Sequence, residues 1–365
     1  VEPAPPRGYF VVDTPPRRLI LRDAFSSRFQ TRNRAEAGRS TRGLVTGCLY
    51  DAEGNRVTLS QRRPDMPKRQ PLCLDEAWLD PASAIAAPRL QGRTLFLGNF
   101  MNHYGHFITE GLSRLWAQED MARYDHIVAF AANADRGRYR PRAFHRYFLD
   151  LLGMDLSRLR VLTEPVRFEE VTVPEQLWLI NCSVNRALRP LHETIRARHA
   201  GKPTGRVFLS RAAFFDPRLA NMAAIESVFA GFGFAVHYPE NMTSAEQLTL
   251  FAGAEIIAGP SGSGLHNSIF ARPGTTIIDV GDPRSARAPT RMQQMADQLA
   301  ETQPHFLPYG GPNGRSESGR RDIADLAAQL MRILGETPSR GALPVLRRRL
   351  ARLPALYRRL RGRRL

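Results

Sequence analysis

The chain has 365 residues, 42% of them apolar and 24% charged, which excludes a disordered chain and gives room for two domains of ordinary size. Its 52 basic and 35 acidic residues leave a formal charge of +17. No apolar run reaches bilayer-spanning length, the first ten residues are not a secretion signal, and three scattered cysteines (Cys48, Cys73, Cys182) form neither a disulfide framework nor a zinc spacing, so a reducing, cytoplasmic location is expected.

Residues 1–40 are rich in Pro and Arg, with 9–12 the one clear strand. Strands are expected at 43–59 and 93–97, a polar loop at 64–71 and a turn-rich connection at 80–89. From Tyr104 to Trp116 apolar residues recur at helical spacing, which puts His106 and Glu110, four apart, on one face. A strand at 125–131, a helix at 142–152 and short strands at 159–162 and 171–173 complete one α/β domain. A helix at 192–200 and the linker candidate Gly201-Lys202-Pro203-Thr204-Gly205 follow. Beyond it strands at 206–210 and 234–238 alternate with helices at 222–232 and, opened by the capping box Thr243-x-x-Glu246, at 243–251. Then Glu255-Ile256-Ile257-Ala258 runs into Gly259-Pro260-Ser261-Gly262-Ser263-Gly264, a short helix at 265–270 and a buried strand at 275–280. Strand, glycine-rich loop, helix start and strand form a parallel crossover whose backbone amides suit phosphate. Two amphipathic helices, 290–300 and 321–334, precede a tail at 338–365 with ten arginines and no acid; without them the charge is 17 − 10 = +7. Four parts are expected: an N-terminal β-rich extension (1–90), an acceptor-side α/β domain (91–200), a Rossmann-like domain with a parallel sheet (201–337) and the tail (338–365).

Asn102-His103-Tyr104-Gly105-His106-Phe107-Ile108-Thr109-Glu110 is close to an N-x-x-H-[WF]-x-x-E helix. Phe208-Leu209-Ser210-Arg211, Arg218-Leu219-Ala220-Asn221, Ser244-Ala245-Glu246-Gln247, Leu250-Phe251-Ala252-Gly253-Ala254, the loop 259–267 and Phe270-Ala271-Arg272-Pro273-Gly274 follow in order. Together, over residues 95–282, they resemble glycosyltransferase family 61. The resemblance implies a GT-B fold of two Rossmann-like domains facing a cleft, a nucleotide-sugar donor (UDP-linked) bound mainly by the second domain, and inversion at the anomeric carbon. It departs at Ser261, where the family has His, and at Met222, where an acid often follows the asparagine. Either His266 or Arg211 compensates for the lost histidine, or donor preference differs.

Inverting transfer needs a base for the acceptor hydroxyl and charge stabilisation for the departing diphosphate. His106 is the favoured base, with Glu110 orienting it or acting as base itself; a buried helix histidine is the alternative. Arg211, at a strand end, suits phosphate oxygens better than a surface ion pair. Arg218 and Asn221 assist, although Asn221 equally suits a helix N-cap. Glu246 serves either the capping box or a ribose hydroxyl, and His266 and Asn267 either the donor or a helix cap. Ser261, Gly262, Ser263 and Gly264 would cradle the diphosphate. No Asp-x-Asp and no His/Cys cluster points to a metal, so no metal or cofactor is expected. The tail interleaves arginine with leucine and suits an anionic membrane surface. The expected protein is a cytoplasmic, peripheral transferase acting on a glycan or lipid-linked acceptor in cell-surface polysaccharide synthesis. The alternatives are a basic nucleic-acid-binding protein, disfavoured by the terminal position of the charge, and an inactive sugar-nucleotide binder.

Overall fold

The computed structural model describes residues 8–32, 44–62, 81–117, 121–131, 134, 137, 139–201, 203–213, 219–309 and 322–339. The loop 64–71, Cys73, Arg218 and the tail from residue 340 lie outside them. The chain divides into two compact units, Val1–Ile195 and Arg196–Leu365.

The first unit opens with β1 (Val11–Val12), β2 (Arg18–Arg22), β3 (Phe25–Ser26), β4 (Gln30–Arg32), β5 (Leu44–Thr46) and β6 (Leu49–Tyr50). Helix α1 (Pro81–Ala86) leads into the long β7 (Arg89–Phe100), which the single turn α2 (Tyr104–His106) follows. Next come β8 (His126–Ala131), α3 (Ala143–Leu151), β9 (Leu159–Val161) and β10 (Arg167–Pro174). After β11 (Trp178–Leu179) and β12 (Ser183–Asn185), α4 (Arg189–Ala197) carries the chain across the unit boundary. Four strands run parallel in the order β10-β7-β8-β9, and β2 and β3 pair antiparallel with β10. Phe96, Val128, Phe168, Val171 and Val173 pack with Phe29 and Phe130 in one core cluster. Phe107 packs edge-on against Phe100 and His145, with ring centroids 5.1 and 4.6 Å apart, which fastens the segment after β7 to α3.

Three expectations change here. The strand expected at 43–59 is broken, because its halves join different partners: β5 pairs with β4, and β6 with β3. The connection expected at 80–89 contains α1, where Pro81 takes the first helical position and alanines follow. Residues 18–22 form β2, which is held by its ladder to β10 while Leu19 and Ile20 stay exposed.

The second unit alternates β13 (Gly205–Leu209), α5 (Met222–Gly231), β14 (Ala235–His237), α6 (Ser244–Gly253), β15 (Ala254–Pro260) and β16 (Thr276–Val280). Helix α7 (Arg291–Ala300), β17 (Gln303–Leu307) and α8 (Ile323–Leu334) complete it. All five strands are parallel, in the order β14-β13-β15-β16-β17. Phe208, Ala258, Ile278 and Val280 join the α5 and α8 side chains in one cluster. Their neighbours Val207, Leu209, Ile257 and Ile277 join Leu250 and Phe251 of α6 in another. Burial on both faces is why these strands read as unbroken apolar runs.

Candidate active site

In each unit the strand order reverses beside one strand, and the loops at the carboxyl ends there are where α/β sheets place ligands. In the first unit that point lies between β7 and β10, since β8 and β9 extend the sheet on the far side of β7. The residues after β7 are Met101, Asn102 and His103, then α2. The helix expected from Tyr104 is one α-turn followed by a π-turn, Phe107–Gly111, in which the Leu112 N–H reaches the Phe107 carbonyl at 2.9 Å. Gly111 permits this wide turn, because a Cβ there would lie 2.8 Å from the Phe107 ring.

His106 and Glu110 meet as their spacing implied: His106 Nδ1 is 2.8 Å from Glu110 Oε2. The same oxygen accepts from Arg62 Nη2 at 2.7 Å. Both members of this ion pair are 2% exposed, whereas the His106 side chain is 28% exposed. A carboxylate held by a guanidinium only accepts hydrogen bonds, so the hydrogen between the two groups sits on His106 Nδ1, and Nε2 is the nitrogen left for proton exchange. That is the form of a histidine able to take a proton from a substrate.

Arg62 reaches Glu110 because a second arginine holds its strand of chain. Arg114, one turn beyond Glu110 and fully buried, donates to the carbonyls of Leu59, Gln61 and Pro174. Its guanidinium also lies 5.7 Å from the centre of the Phe96 ring. Desolvation pushes its pKa down to about 9, so it remains a cation at neutral pH. Gly98 makes room for it: φ there is +76°, and a Cβ would sit 2.5 Å from Arg114 Nε.

In the second unit the reversal lies between β13 and β15. Arg211 stands two residues beyond β13, and Ser261 to Gly264 follow β15 directly. The two strand ends are tightly apposed, since a Cβ on Gly259 would lie 3.0 Å from Leu209 Cβ. Ser261 is turned inward: its N–H donates to the Val280 carbonyl at 3.1 Å and its hydroxyl to Asp279 Oδ1. Gly262 has φ +148°, and its carbonyl accepts from the Leu265 and His266 amides. The amides of Gly262, Ser263 and Gly264 make no hydrogen bond among the described residues, and all three residues are half-buried.

Asn267 is fully buried, donating to the Gly264 carbonyl (3.1 Å) and to Gln247 Oε1 (3.3 Å), so it ties the loop down. His266 is also buried, with Nδ1 2.9 Å from Gln293 Oε1. Glu246 closes the capping box: its Oε2 accepts from the Thr243 amide (2.7 Å) and hydroxyl (2.8 Å), and these bonds hold its pKa below the usual carboxylate value. Asn221 occupies the N-cap position of α5 but makes no side-chain capping bond. Arg218 lies outside the described residues. Among the described residues no group of three His, Cys, Asp or Glu side chains could hold a metal ion.

Sequence reasoning missed Arg62, Arg114, Asp279 and Gln293. None sits in a local pattern; Arg62 is 48 residues from Glu110. Compared with known families, residues 104–278 match the model described as Glycosyltransferase 61. No curated protein matches the chain.

Proposed function

Residues 104–278 place this chain in the glycosyltransferase 61 family, and from that premise we propose that it is an inverting transferase, moving a sugar from a UDP-linked donor to a glycan or lipid-linked acceptor in cell-surface polysaccharide synthesis. The observation that carries this reading is the hydrogen-bonded series Arg62–Glu110–His106 at the carboxyl end of β7. His106 Nε2 takes the proton of the acceptor hydroxyl as its oxygen attacks the anomeric carbon from the face opposite the leaving group. The bond from that carbon to the diphosphate oxygen breaks, and the nucleoside diphosphate departs with the electron pair. Glu110 then stabilises the imidazolium, and Arg62 keeps Glu110 ionised and aimed.

The donor belongs to the second unit in this reading. The amides of Gly262, Ser263 and Gly264, with Arg211, Arg218 and His266, would take the diphosphate charge that other transferases give to a metal. Glu246 Oε1 would serve the ribose, and Asn221 would assist the arginines at the diphosphate. The arginine tail would hold the enzyme on the anionic inner face of the cytoplasmic membrane, near a lipid-linked acceptor.

The first test is a panel of sugar nucleotides screened for thermal stabilisation of the chain, followed by transfer assays with the best donor. His106→Ala is expected to lower turnover by about 10²- to 10⁴-fold while donor affinity stays level. Undiminished turnover in that variant removes His106 from the mechanism, and a panel without any stabilising nucleotide refutes the donor site.

A further inference from the structure

A cavity of about 390 Å³ lies within the first unit, a size that suits a small ligand. One wall comes from the segment that ends at Gln61, whose next residue is Arg62. A second is Glu175 and Gln176, which follow β10 directly, and a third is Leu19 and Leu21 of β2. Arg114 ties the first two walls together, because the carbonyls it gathers belong to Leu59 and Gln61 on one side and to Pro174, just before Glu175, on the other. Since β10 and β7 are parallel neighbours, the cavity borders the same edge of the sheet from which His106 projects. Ligands of α/β sheets collect on that edge.

The lining selects a chemistry. Among the described residues around the cavity two cations, Arg17 and Arg56, are matched by two anions, Asp51 and Glu175, so there is no surplus charge for a phosphate. The polar groups are already held in place. Glu175 accepts from the Arg17 amide and from Arg17 Nη2, at 2.8 Å each, and Asp51 Oδ1 accepts from the amides of Glu53 and Asn55. An arginine and a carboxylate locked side by side present donors and acceptors together, which is what neighbouring hydroxyl groups need. Leu19 and Leu21, two apart on a strand, add an apolar side, and Leu19 is 42% exposed. A sugar ring has the same division into a hydroxyl edge and a C–H face. Neither His106 nor Glu110 lines the cavity, so a sugar held there is not the one that loses its proton.

We propose that this cavity binds a neutral sugar unit of the acceptor, set back from the reacting hydroxyl, so that the acceptor is a glycan of at least two sugars. The proposal rests on the transferase reading, with His106 as its base.

The test uses the full chain and a panel of neutral methyl glycosides (glucose, galactose, mannose, xylose and N-acetylglucosamine), with binding read by saturation-transfer NMR. At least one should bind the wild type, and more tightly than methyl glucuronide. Glu175→Ala should weaken that binding about tenfold. Ile20→Ser should leave it unchanged, because Ile20 alternates with Leu19 and Leu21 and does not line the cavity. Should Glu175→Ala fail to fold, Thr58→Arg, which fills the cavity from an exposed position, takes its place. Undiminished binding in a folded cavity variant overturns the proposal, as does a preference for the glucuronide or a panel without a binder. Stabilisation by sugar nucleotides is measured on the same protein. A chain stabilised by a nucleotide that binds no glycoside loses the acceptor cavity alone. A chain that binds a glycoside but no nucleotide overturns the transferase reading, and with it the acceptor role.

Discussion

Glu110 is a carboxylate with almost no contact with water, and two groups from different parts of the chain share one of its oxygens. Taking the cation away should be worse than taking both charges away. Arg62→Met strips the buried anion of its guanidinium, a loss of about 3–5 kcal/mol. The double variant Arg62→Met with Glu110→Gln should lose less than Arg62→Met alone, and urea unfolding of the wild type, the two single variants and the double reads the coupling. Additive losses would mean that the ion pair carries no coupling. Turnover separates the residues further: both Arg62→Met and Glu110→Gln should lower it, because each changes how His106 holds its proton.

At the level of elements, the loop after β15 is braced by a helix start at some distance from it. Gln247 of α6 accepts from Asn267, and α6 begins with the Thr243–Glu246 capping box. Thr243→Ala should cost about 1 kcal/mol of stability, measured by thermal unfolding. Donor affinity should stay level, since Thr243 anchors the helix and not the ligand. The parallel sheet of the second unit was legible because strands buried on both faces must be apolar throughout, as Ile256-Ile257-Ala258 and Ile277-Ile278 are. The edge strand β17 was not, because Gln303, Pro304 and His305 are exposed and need no apolar pattern. The spacing of His106 and Glu110 was legible, yet the π-turn between them was not: Gly111 reads locally as a weak helix residue, and only the Phe107 ring beside it explains its presence. Arg62 and Gln293 gave no signal, since their partners are set by tertiary contacts.

Two properties belong to the whole molecule. Burial raises the Asp297 pKa to about 7. Because the folded value lies above the unfolded one, the native state keeps a proton that the unfolded chain has released between about pH 4 and pH 7. Stability from this group is therefore greatest below that window, falls as pH rises through it and is level above. Asp297→Asn should flatten the profile between pH 5 and pH 8 by an amount on the order of 3 kcal/mol, followed by denaturant unfolding at those two pH values. A profile as steep as the wild type's would place the titration elsewhere. Charge is the second property. Ten of the net seventeen positive charges lie at the carboxyl end, so removing residues 340–365 should abolish binding to phosphatidylserine vesicles at low salt while donor affinity persists. Vesicle binding that survives the truncation would assign the membrane contact to the folded body.

The buried guanidinium of Arg114 links the Arg62–Glu110–His106 series to the integrity of the first unit. Carbonyls 53, 55 and 60 positions away in the chain converge on it, so that series cannot be assembled from neighbouring residues alone. It comes into being only when three distant stretches have docked, and a partly folded intermediate would lack it.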